Sequence, residues 1–261
     1  MNIFEKIIET EIAYSRCFCE NTETETYYKF KDDKLEEMYC HNYLFMKKEV
    51  SSGELRNLIE EEIKSRKLQK KTFFQIDIHF EPDKKMLSQL AIAPQVTLME
   101  YYAVQAGELK RQMRRQDCEI VKMETEQQIE QAEEFEIAVG EKYMGVDFSR
   151  ERFKRRMDIY MEPEKVEHYL CYIEKEIVGH ADFFNYDKVV KIEDFEIESA
   201  YQRQGIGSAM IHRFMELMIE RKGQWLYVAT EIEDTAKEMY QKCGLTPCGK
   251  RYSLFFDLNE G

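Results

Sequence analysis

The sequence is poor in several features that mark specialised classes of protein. It has four prolines in 261 residues and no low-complexity segment. No apolar run approaches the roughly 20 residues that a membrane-spanning helix requires. The first residues are acidic and amphipathic, without the basic region and apolar core of a secretory signal. We therefore expect a cytoplasmic protein with no membrane partner.

Disulfide and metal-binding patterns are also missing from the sequence. There are seven cysteines, and the closest pair, Cys17 and Cys19, does not form a CxxC motif. An odd number of irregularly spaced cysteines argues against both a disulfide framework and a zinc site. The five histidines show no metal-ligand spacing, so we expect no metal. Only His180, on a strand beside the cleft described below, is a candidate for substrate contact, and packing is its alternative role.

Basic charge is in short supply. The chain carries 38 Lys and Arg against 51 Asp and Glu, a net charge of −13. A nucleic-acid-binding protein needs clustered basic residues to neutralise phosphates, so this class is disfavoured. Two basic stretches, 110–115 and 150–156, are interpreted as a linker and a solvated helix face. An acidic surface suits a cationic substrate such as an amine, because it raises the local concentration of that substrate.

What is present fits a globular protein: 43% of the residues are hydrophobic and 34% are charged. A chain of this length buries roughly three-quarters of its unfolded surface, so it needs no covalent staples. A polar, basic stretch divides two patterned regions. We predict an N-terminal α/β domain over residues 1–106, a linker over 107–116 and a second domain over 117–261.

In the N-terminal region, hydrophobic periodicity predicts a helix from Ile3 to Tyr14. A second helix is predicted after Ser51, where Ser51 and Glu54 have the spacing of a capping box. Residues 72–79 and 97–104 are rich in β-branched and aromatic residues, which predicts two strands.

The C-terminal region has a clearer order of elements. The pattern predicts strands at 118–123, 169–174, 177–184, 189–197, 224–230 and 251–257, and helices at 126–143, 148–160, 235–242 and directly after Gly205-Ile206-Gly207. The short turn Glu174-Lys175-Glu176 predicts a hairpin. Strands joined in hairpins and interspersed with helices indicate an α+β fold with a mostly antiparallel sheet, and not a doubly wound parallel sheet.

The Gly205-Ile206-Gly207 turn carries the chemical information. It joins a strand to a helix start, where unpaired backbone N–H groups and the helix dipole favour a phosphate. A Walker loop would have Lys followed by Ser or Thr after the second glycine, and here Ser208 stands there. A dinucleotide fingerprint would have a small residue where Met210 stands. A turn that only starts a helix is the structural alternative.

Two motifs in this region resemble those of a known family. Gln202-x-x-Gly205-x-Gly207 matches the phosphate-binding signature of the GNAT acetyltransferases. The segment from Ala236 through Tyr240 to Gly244 is similar to the second motif of that family, A-x-x-x-Y-x-x-x-G. The resemblance covers residues 117–261 and implies a GNAT-like sheet flanked by helices. The order of elements in residues 1–106 resembles, faintly, a degenerate second GNAT unit.

The resemblance implies an N-acetyltransferase that uses acetyl-CoA as co-substrate and no metal. Backbone amides of residues 203–208 would hold the pyrophosphate, main-chain groups of Phe195 and Ile197 would bind the pantetheine arm, and Tyr240 would protonate the leaving thiolate. The implied cofactor-binding residues are Phe195, Ile197, Gln202, Arg203, Gln204, Gly205, Ile206, Gly207 and Ser208. Packing in the core is the alternative role of Tyr240.

A general base is needed because only a neutral amine attacks a thioester. Strand alternation predicts that Glu193 shares a face with Ile197, while Asp194 and Glu196 point the other way. The resemblance implies that this face carries the base carboxylate, so Glu193 is the candidate base, and a solvated surface carboxylate is its alternative role. Two positions depart from the family pattern. Glu233 stands where an asparagine often contacts the cofactor, and Arg203 stands where glycine is commonest.

The expected acceptor is a small-molecule or peptide amine. The N-terminal domain could form one wall of the acceptor site or the face of a homodimer. The alternative function is a non-catalytic acyl-CoA sensor or interaction module that retains the phosphate cradle, and Glu233 favours it.

Overall fold

The computed structural model of the chain describes residues 2–108, 115, 117–162 and 165–259. None of the helices in these ranges combines the length and the apolar character needed to cross a membrane. The chain divides into two compact units. Unit 1 comprises residues 1–17 and 101–248, and unit 2 comprises residues 18–100 and 249–261.

These units distribute the chain differently from the predicted division at 106 and 117. The first helix and residues 101–106 pack within unit 1, and residues 249–261 pack within unit 2. Hydrophobic periodicity finds elements but carries no information on which distant elements pack together. Most of the predicted linker, residues 109–114 and 116, lies outside the described residues.

Unit 2 is built from short strands and one long helix. Its elements are β1 (Glu20–Glu23), β2 (Tyr27–Lys31), β3 (Leu44–Met46), α2 (Ser52–Leu68), β4 (Phe73–Ile78), α3 (Lys84–Leu87) and the parts of β5 (Gln95–Gln105) and β11 (Thr246–Asp257) that fall in its ranges. The strand order is β1-β2-β3-β4-β11, with β3 and β4 parallel and the other pairs for which a register is defined antiparallel.

The predicted capping box is present at the start of α2: the Ser51 side chain accepts from the Glu54 N–H, and the Glu54 carboxylate accepts from the Ser51 N–H. Leu55 and Ile59 from α2 pack onto Phe74 and Ile76 of β4. Strands β1, β2 and β3 were not predicted, because strands of three to five residues are too short to show alternation.

Unit 1 contains a larger sheet flanked by helices. Its remaining elements are α1 (Ile3–Phe18), β6 (Glu119–Lys122), α4 (Glu126–Met144), α5 (Val146–Tyr160), β7 (Glu167–Ile173), β8 (Glu176–Tyr186), β9 (Val189–Ile197), a 3-10 turn (Ser199–Tyr201), α6 (Ile206–Glu220), β10 (Trp225–Glu231) and α7 (Ala236–Lys242). The strand order is β5-β10-β9-β8-β7-β6. The pairs β6–β7, β7–β8 and β8–β9 are antiparallel, and the pair β9–β10 is parallel.

Tight turns join the central strands. Glu174 and Lys175 both have positive φ angles, of 49° and 78°, and they connect the paired residues Ile173 and Glu176. Two consecutive residues with positive φ match the right-handed twist of a hairpin, and the predicted hairpin is confirmed. The apolar side of α6 packs on this sheet through residues such as Met210, Ile211 and Phe214.

Candidate functional site

Two central strands of unit 1 separate on the side where the Gly205-Ile206-Gly207 turn lies. The parallel strands β9 and β10 pair from Val189↔Trp225 to Ile192↔Val228. Beyond Ile192, β9 continues to Ile197 and β10 to Glu231, with no further pair between them among the described residues. The backbone of β9 at Phe195 and Ile197 therefore forms no hydrogen bonds with β10. An extended ligand can bind to this part of β9 in the way that an additional strand would.

Helix α6 begins at the mouth of this opening. Gly205 caps it with a φ angle of +85°, a left-handed conformation that glycine adopts without steric cost. The first bond of the helix runs from the Ala209 N–H to the Gly205 carbonyl, so the N–H groups of Ile206, Gly207 and Ser208 precede the regular ladder. Together with the helix dipole, these groups make an anion-binding site.

The loop before α6 is braced by side-chain amides. Gln202 Nε2 donates to the Ile197 carbonyl at 2.9 Å, and Gln204 Nε2 donates to the Ala200 carbonyl at 2.9 Å. The Arg115 guanidinium also donates to the Gln204 carbonyl at 2.9 Å. Gln202 and Gln204 thus shape the loop through hydrogen bonds within the protein.

Arg203 has a φ angle of +60° and an exposed side chain. The left-handed backbone explains why glycine suits this position. Gly207 has a packing role as well, because a Cβ there would lie 2.5 Å from the Met239 sulfur on α7.

Helix α7 places the tyrosine of the second motif. Asp234 accepts from the Ala236 N–H at 2.8 Å and from the Thr230 hydroxyl at 3.1 Å, which fixes the start of the helix. Gly244, with a φ angle of +99°, ends it, and the Leu245 N–H donates to the Tyr240 carbonyl. The spacing of Ala236, Tyr240 and Gly244 therefore encodes one short helix with defined ends.

These elements enclose a cavity of about 550 Å³. Its walls come from the end of β9, the loop before α6, the first turn of α6, and α7. The lining residues are Phe195, Glu196, Ile197, Tyr201, Gln202, Arg203, Gly205, Gly207, Ser208, Asp234, Thr235, Ala236, Met239, Tyr240 and Lys242. Most of the predicted cofactor-binding residues thus meet at one cavity; Gln204 and Ile206 belong to the same turn but are not among its lining residues.

Tyr240 lines the cavity and is also part of the hydrophobic core. Its position is therefore compatible both with a role as proton donor and with a role in packing. Its side chain is 5% exposed, and its ring packs 6.2 Å from that of Tyr102. Burial, reinforced by the carboxylates of Asp234 and Glu193, raises the pKa of the Tyr240 phenol. The phenol is therefore protonated at neutral pH and available as a donor.

The alternation argument that favoured Glu193 is wrong. A register shift between β8 and β9 pairs Asp182 with Glu193 and His180 with Glu196, leaving an extra residue in β9, and Asp194 has a φ angle of +51°. This β-bulge reverses the alternation beyond it. Glu193 bonds to Lys191 at 3.0 Å and is not among the residues that line the cavity. Its role as base stays a prediction.

Two carboxylates that sequence reasoning passed over, Glu196 and Asp234, line the cavity. Burial raises the pKa of Glu196, and the nearby carboxylates of Asp194 and Asp234 raise it further. The signal for Asp234 is its position two residues before Ala236, where its carboxylate accepts from the first N–H of α7. Glu233, the departure from the family pattern, is exposed and is not a lining residue. His180 is buried beneath α4, against Phe135, and does not reach the cavity.

A model of the acetyltransferase (GNAT) family matches residues 132–245, which include β9, α6 and α7. Residues 132–245 are a GNAT acetyltransferase domain. No curated protein matches the chain.

Solved structures show the same fold over almost the whole chain. A conserved protein of unknown function from Staphylococcus epidermidis is 19% identical with a TM-score of 0.75, covering 95% of this chain and 99% of its own. A GCN5-related N-acetyltransferase from Kribbella flavida is 13% identical with a TM-score of 0.70, covering 98% and 96%. A tandem GNAT protein from the clavulanic acid biosynthesis pathway is 6% identical with a TM-score of 0.61, covering 97% and 88%.

These matches confirm the predicted fold class, a mixed and mostly antiparallel sheet flanked by helices. The likeness to a tandem GNAT protein covers both units of the chain, in line with the predicted resemblance of the N-terminal half to a second GNAT unit. A GNAT domain supports acyl transfer in general and identifies no substrate.

Proposed function

We propose that this protein is an N-acetyltransferase that moves the acetyl group of acetyl-CoA to a primary amine. The observation that carries the proposal is the cavity lined by the end of β9, where β9 has separated from β10, and by the first turn of α6. A free strand edge and a helix start side by side suit a ligand with an extended amide arm and a pyrophosphate. Acetyl-CoA has both groups.

In this proposal the backbone does most of the binding. The N–H groups of Ile206, Gly207 and Ser208 would hold the pyrophosphate, and the exposed Arg203 guanidinium adds a cation nearby. Main-chain groups of Phe195 and Ile197 would bind the pantetheine arm, although the Ile197 carbonyl already accepts from Gln202. The bound thioester supplies an electrophilic carbonyl, and fixing it beside the amine converts a bimolecular reaction into an intramolecular one.

The proton transfers fall to side chains of the cavity wall. The amine nitrogen attacks the thioester carbon, the new C–N bond forms, and the C–S bond breaks. Glu196 suits the base because its raised pKa moves it towards the operating pH. Tyr240 suits the donor to the departing sulfur. Since the pKa of its phenol exceeds that of a thiol, about 8.5, the main contribution is a hydrogen bond to the thiolate.

Charge supports a cationic acceptor. The net charge of −13 attracts amines, and Glu196 and Asp234 bring two carboxylates to the cavity itself. The second candidate is a non-catalytic acyl-CoA-binding module. Glu233 no longer favours it, because that carboxylate does not line the cavity.

Calorimetry with acetyl-CoA tests the proposal. Ser208→Glu places a carboxylate in the first turn of α6 without replacing the left-handed Gly205. Gln224→Glu adds the same charge at the exposed residue before β10, far along the chain from the phosphate-binding turn, and serves as the matched control. We expect micromolar binding to the wild type and to Gln224→Glu, and none to Ser208→Glu.

A folded wild type that fails to bind acetyl-CoA would refute both candidate functions. Binding followed by CoA release with a primary amine would distinguish the enzyme from the non-catalytic module, which binds without turnover.

A further inference from the structure

A buried polar cluster lies on the opposite side of β8 and β9 from α6, under α4 and α5. His168 on β7 is paired with Asp182 on β8, and His180 lies two residues before Asp182, so the three side chains share one face of the sheet. Glu136, a buried residue of α4, packs against this face. His168, His180 and Glu136 are each at least nine-tenths buried.

Three atoms of this cluster converge without hydrogen bonds. Glu136 Oε1, His168 Nε2 and His180 Nδ1 have no hydrogen-bond partner among the described residues. Glutamate and histidine ligand atoms of this group lie within 4.8 Å of one another, and Glu136 Oε1 is 3.7 Å from His180 Nδ1. Buried polar atoms are nearly always satisfied, so three that face each other indicate a missing common partner.

Hydrogen bonds from neighbouring side chains orient these atoms, as they commonly orient the ligands of a metal ion. His168 Nδ1 bonds to Asp182 Oδ1 at 2.8 Å, which directs its Nε2 towards the other two residues. Asp182 is itself held by the hydroxyls of Tyr14 and Tyr160, each at 2.8 Å, and by the Arg156 guanidinium. The second oxygen of Glu136, Oε2, accepts from Arg152 at 2.5 Å, leaving Oε1 for the cluster.

The charges of the cluster leave room for a cation. Its salt bridges join three carboxylates, those of Glu136, Asp182 and Asp194, to two guanidiniums, those of Arg152 and Arg156. One negative charge is therefore unbalanced when both imidazoles are neutral, as metal ligands must be. Buried charges are retained when they are paired or coordinate metals.

We propose that Glu136, His168 and His180 bind a divalent transition-metal ion of the zinc type. Two imidazoles and one carboxylate are ligands that zinc, cobalt and nickel accept. Bonds of about 2.1 Å in tetrahedral geometry need donor atoms about 3.4 Å apart, so modest side-chain rotations complete the site, with water as fourth ligand. The ion joins α4 to β7 and β8 and has a structural role.

Metal content tests the proposal independently of activity. The protein is expressed in zinc-supplemented medium, purified without metal-affinity chromatography, and assayed for zinc by mass spectrometry. Glu136→Gln and His180→Gln each remove one ligand and keep a polar side chain. His212→Gln removes a buried histidine of α6, outside the cluster, and is the matched control.

We expect stoichiometric zinc in the wild type and in His212→Gln, and a loss of about tenfold or more in the two ligand variants. Zinc well below stoichiometry in the wild type would overturn the proposal, with a buried water as the common partner instead. Equal zinc in all variants would also overturn it, because the metal would then be bound by residues other than these three.

Cobalt substitution decides the matter if the ligand variants fail to fold. The wild type grown with cobalt should show the intense visible bands of a tetrahedral ion, without thiolate-to-cobalt charge transfer. Thiolate bands, or the weak spectrum of an octahedral aqueous ion, would exclude these three ligands.

Discussion

A buried ion pair joins the first helix to β9 within unit 1, and breaking this pair tests the division of the chain. Lys191 Nζ on β9 lies 2.6 Å from Glu11 Oε1 on α1, and the two side chains are 6% and 5% exposed. Glu11 also accepts from the Tyr227 hydroxyl at 2.7 Å, and the Lys191 ammonium lies over the Tyr14 ring. Both charged groups are therefore almost wholly enclosed by the protein.

We expect Lys191→Met to destabilise the protein strongly, because it leaves the Glu11 carboxylate buried without its cation. Removing one partner of a buried pair costs about 3–5 kcal/mol. For a unit of this size, 1 kcal/mol corresponds to roughly 2–4 °C in Tm, so we expect a fall of about 6–20 °C. The double variant Glu11→Gln with Lys191→Met should lose less than the sum of the single changes.

Differential scanning calorimetry measures this effect, with Arg213→Met as control. Arg213 and Glu220 form a comparable pair at 3.2 Å on the solvent side of α6, and exposed pairs contribute about 0.2–1 kcal/mol. If Lys191→Met cost no more than Arg213→Met, α1 would not be docked on β9, and the assignment of residues 1–17 to unit 1 would be wrong.

Two further changes probe the chemistry of the cavity, each measured by CoA release with an accepted amine. Tyr240→Phe should lower kcat by about a hundredfold, the lower end of acid catalysis, at unchanged acetyl-CoA affinity; Tyr102→Phe is its control, and equal kcat in both variants would remove the donor role. Glu196→Gln should lower kcat/KM more than Glu193→Gln does, and the reverse order would return the base to Glu193. A base must be ionised, so activity should fall as pH drops through the Glu196 pKa. Because burial raises that pKa, the fall should occur at a higher pH than for an ordinary glutamate, and Glu196→Gln should abolish it.

The bulge at Asp194 shows where prediction of the site stopped. The sequence placed the whole strand Val189–Ile197 correctly, since its apolar and β-branched residues carry a local signal. It could not reveal the extra residue, because a bulge is a mismatch between two strands and not a property of one. Because of this extra residue, Glu196 lines the cavity and Glu193 does not, so we now favour Glu196 as the base.

The polar cluster under α4 shows a second limit. Glu136, His168 and His180 come from a helix and two strands, so no ligand spacing connects them in the sequence. The expectation of no metal depended on spacing alone, and spacing cannot reveal ligands that come from separate elements.

The sequence by itself determined the local structures of this protein. Periodicity defined the helices and longer strands, Gly205 provided the left-handed turn before α6, and the spacing from Ala236 to Gly244 fitted one capped helix. These features depend on residues within a few positions of each other. The tertiary structure alone decided the separation of β9 from β10, the packing of α1 within unit 1, and the set of carboxylates that face the cavity. These depend on contacts between distant residues, which local sequence patterns do not encode.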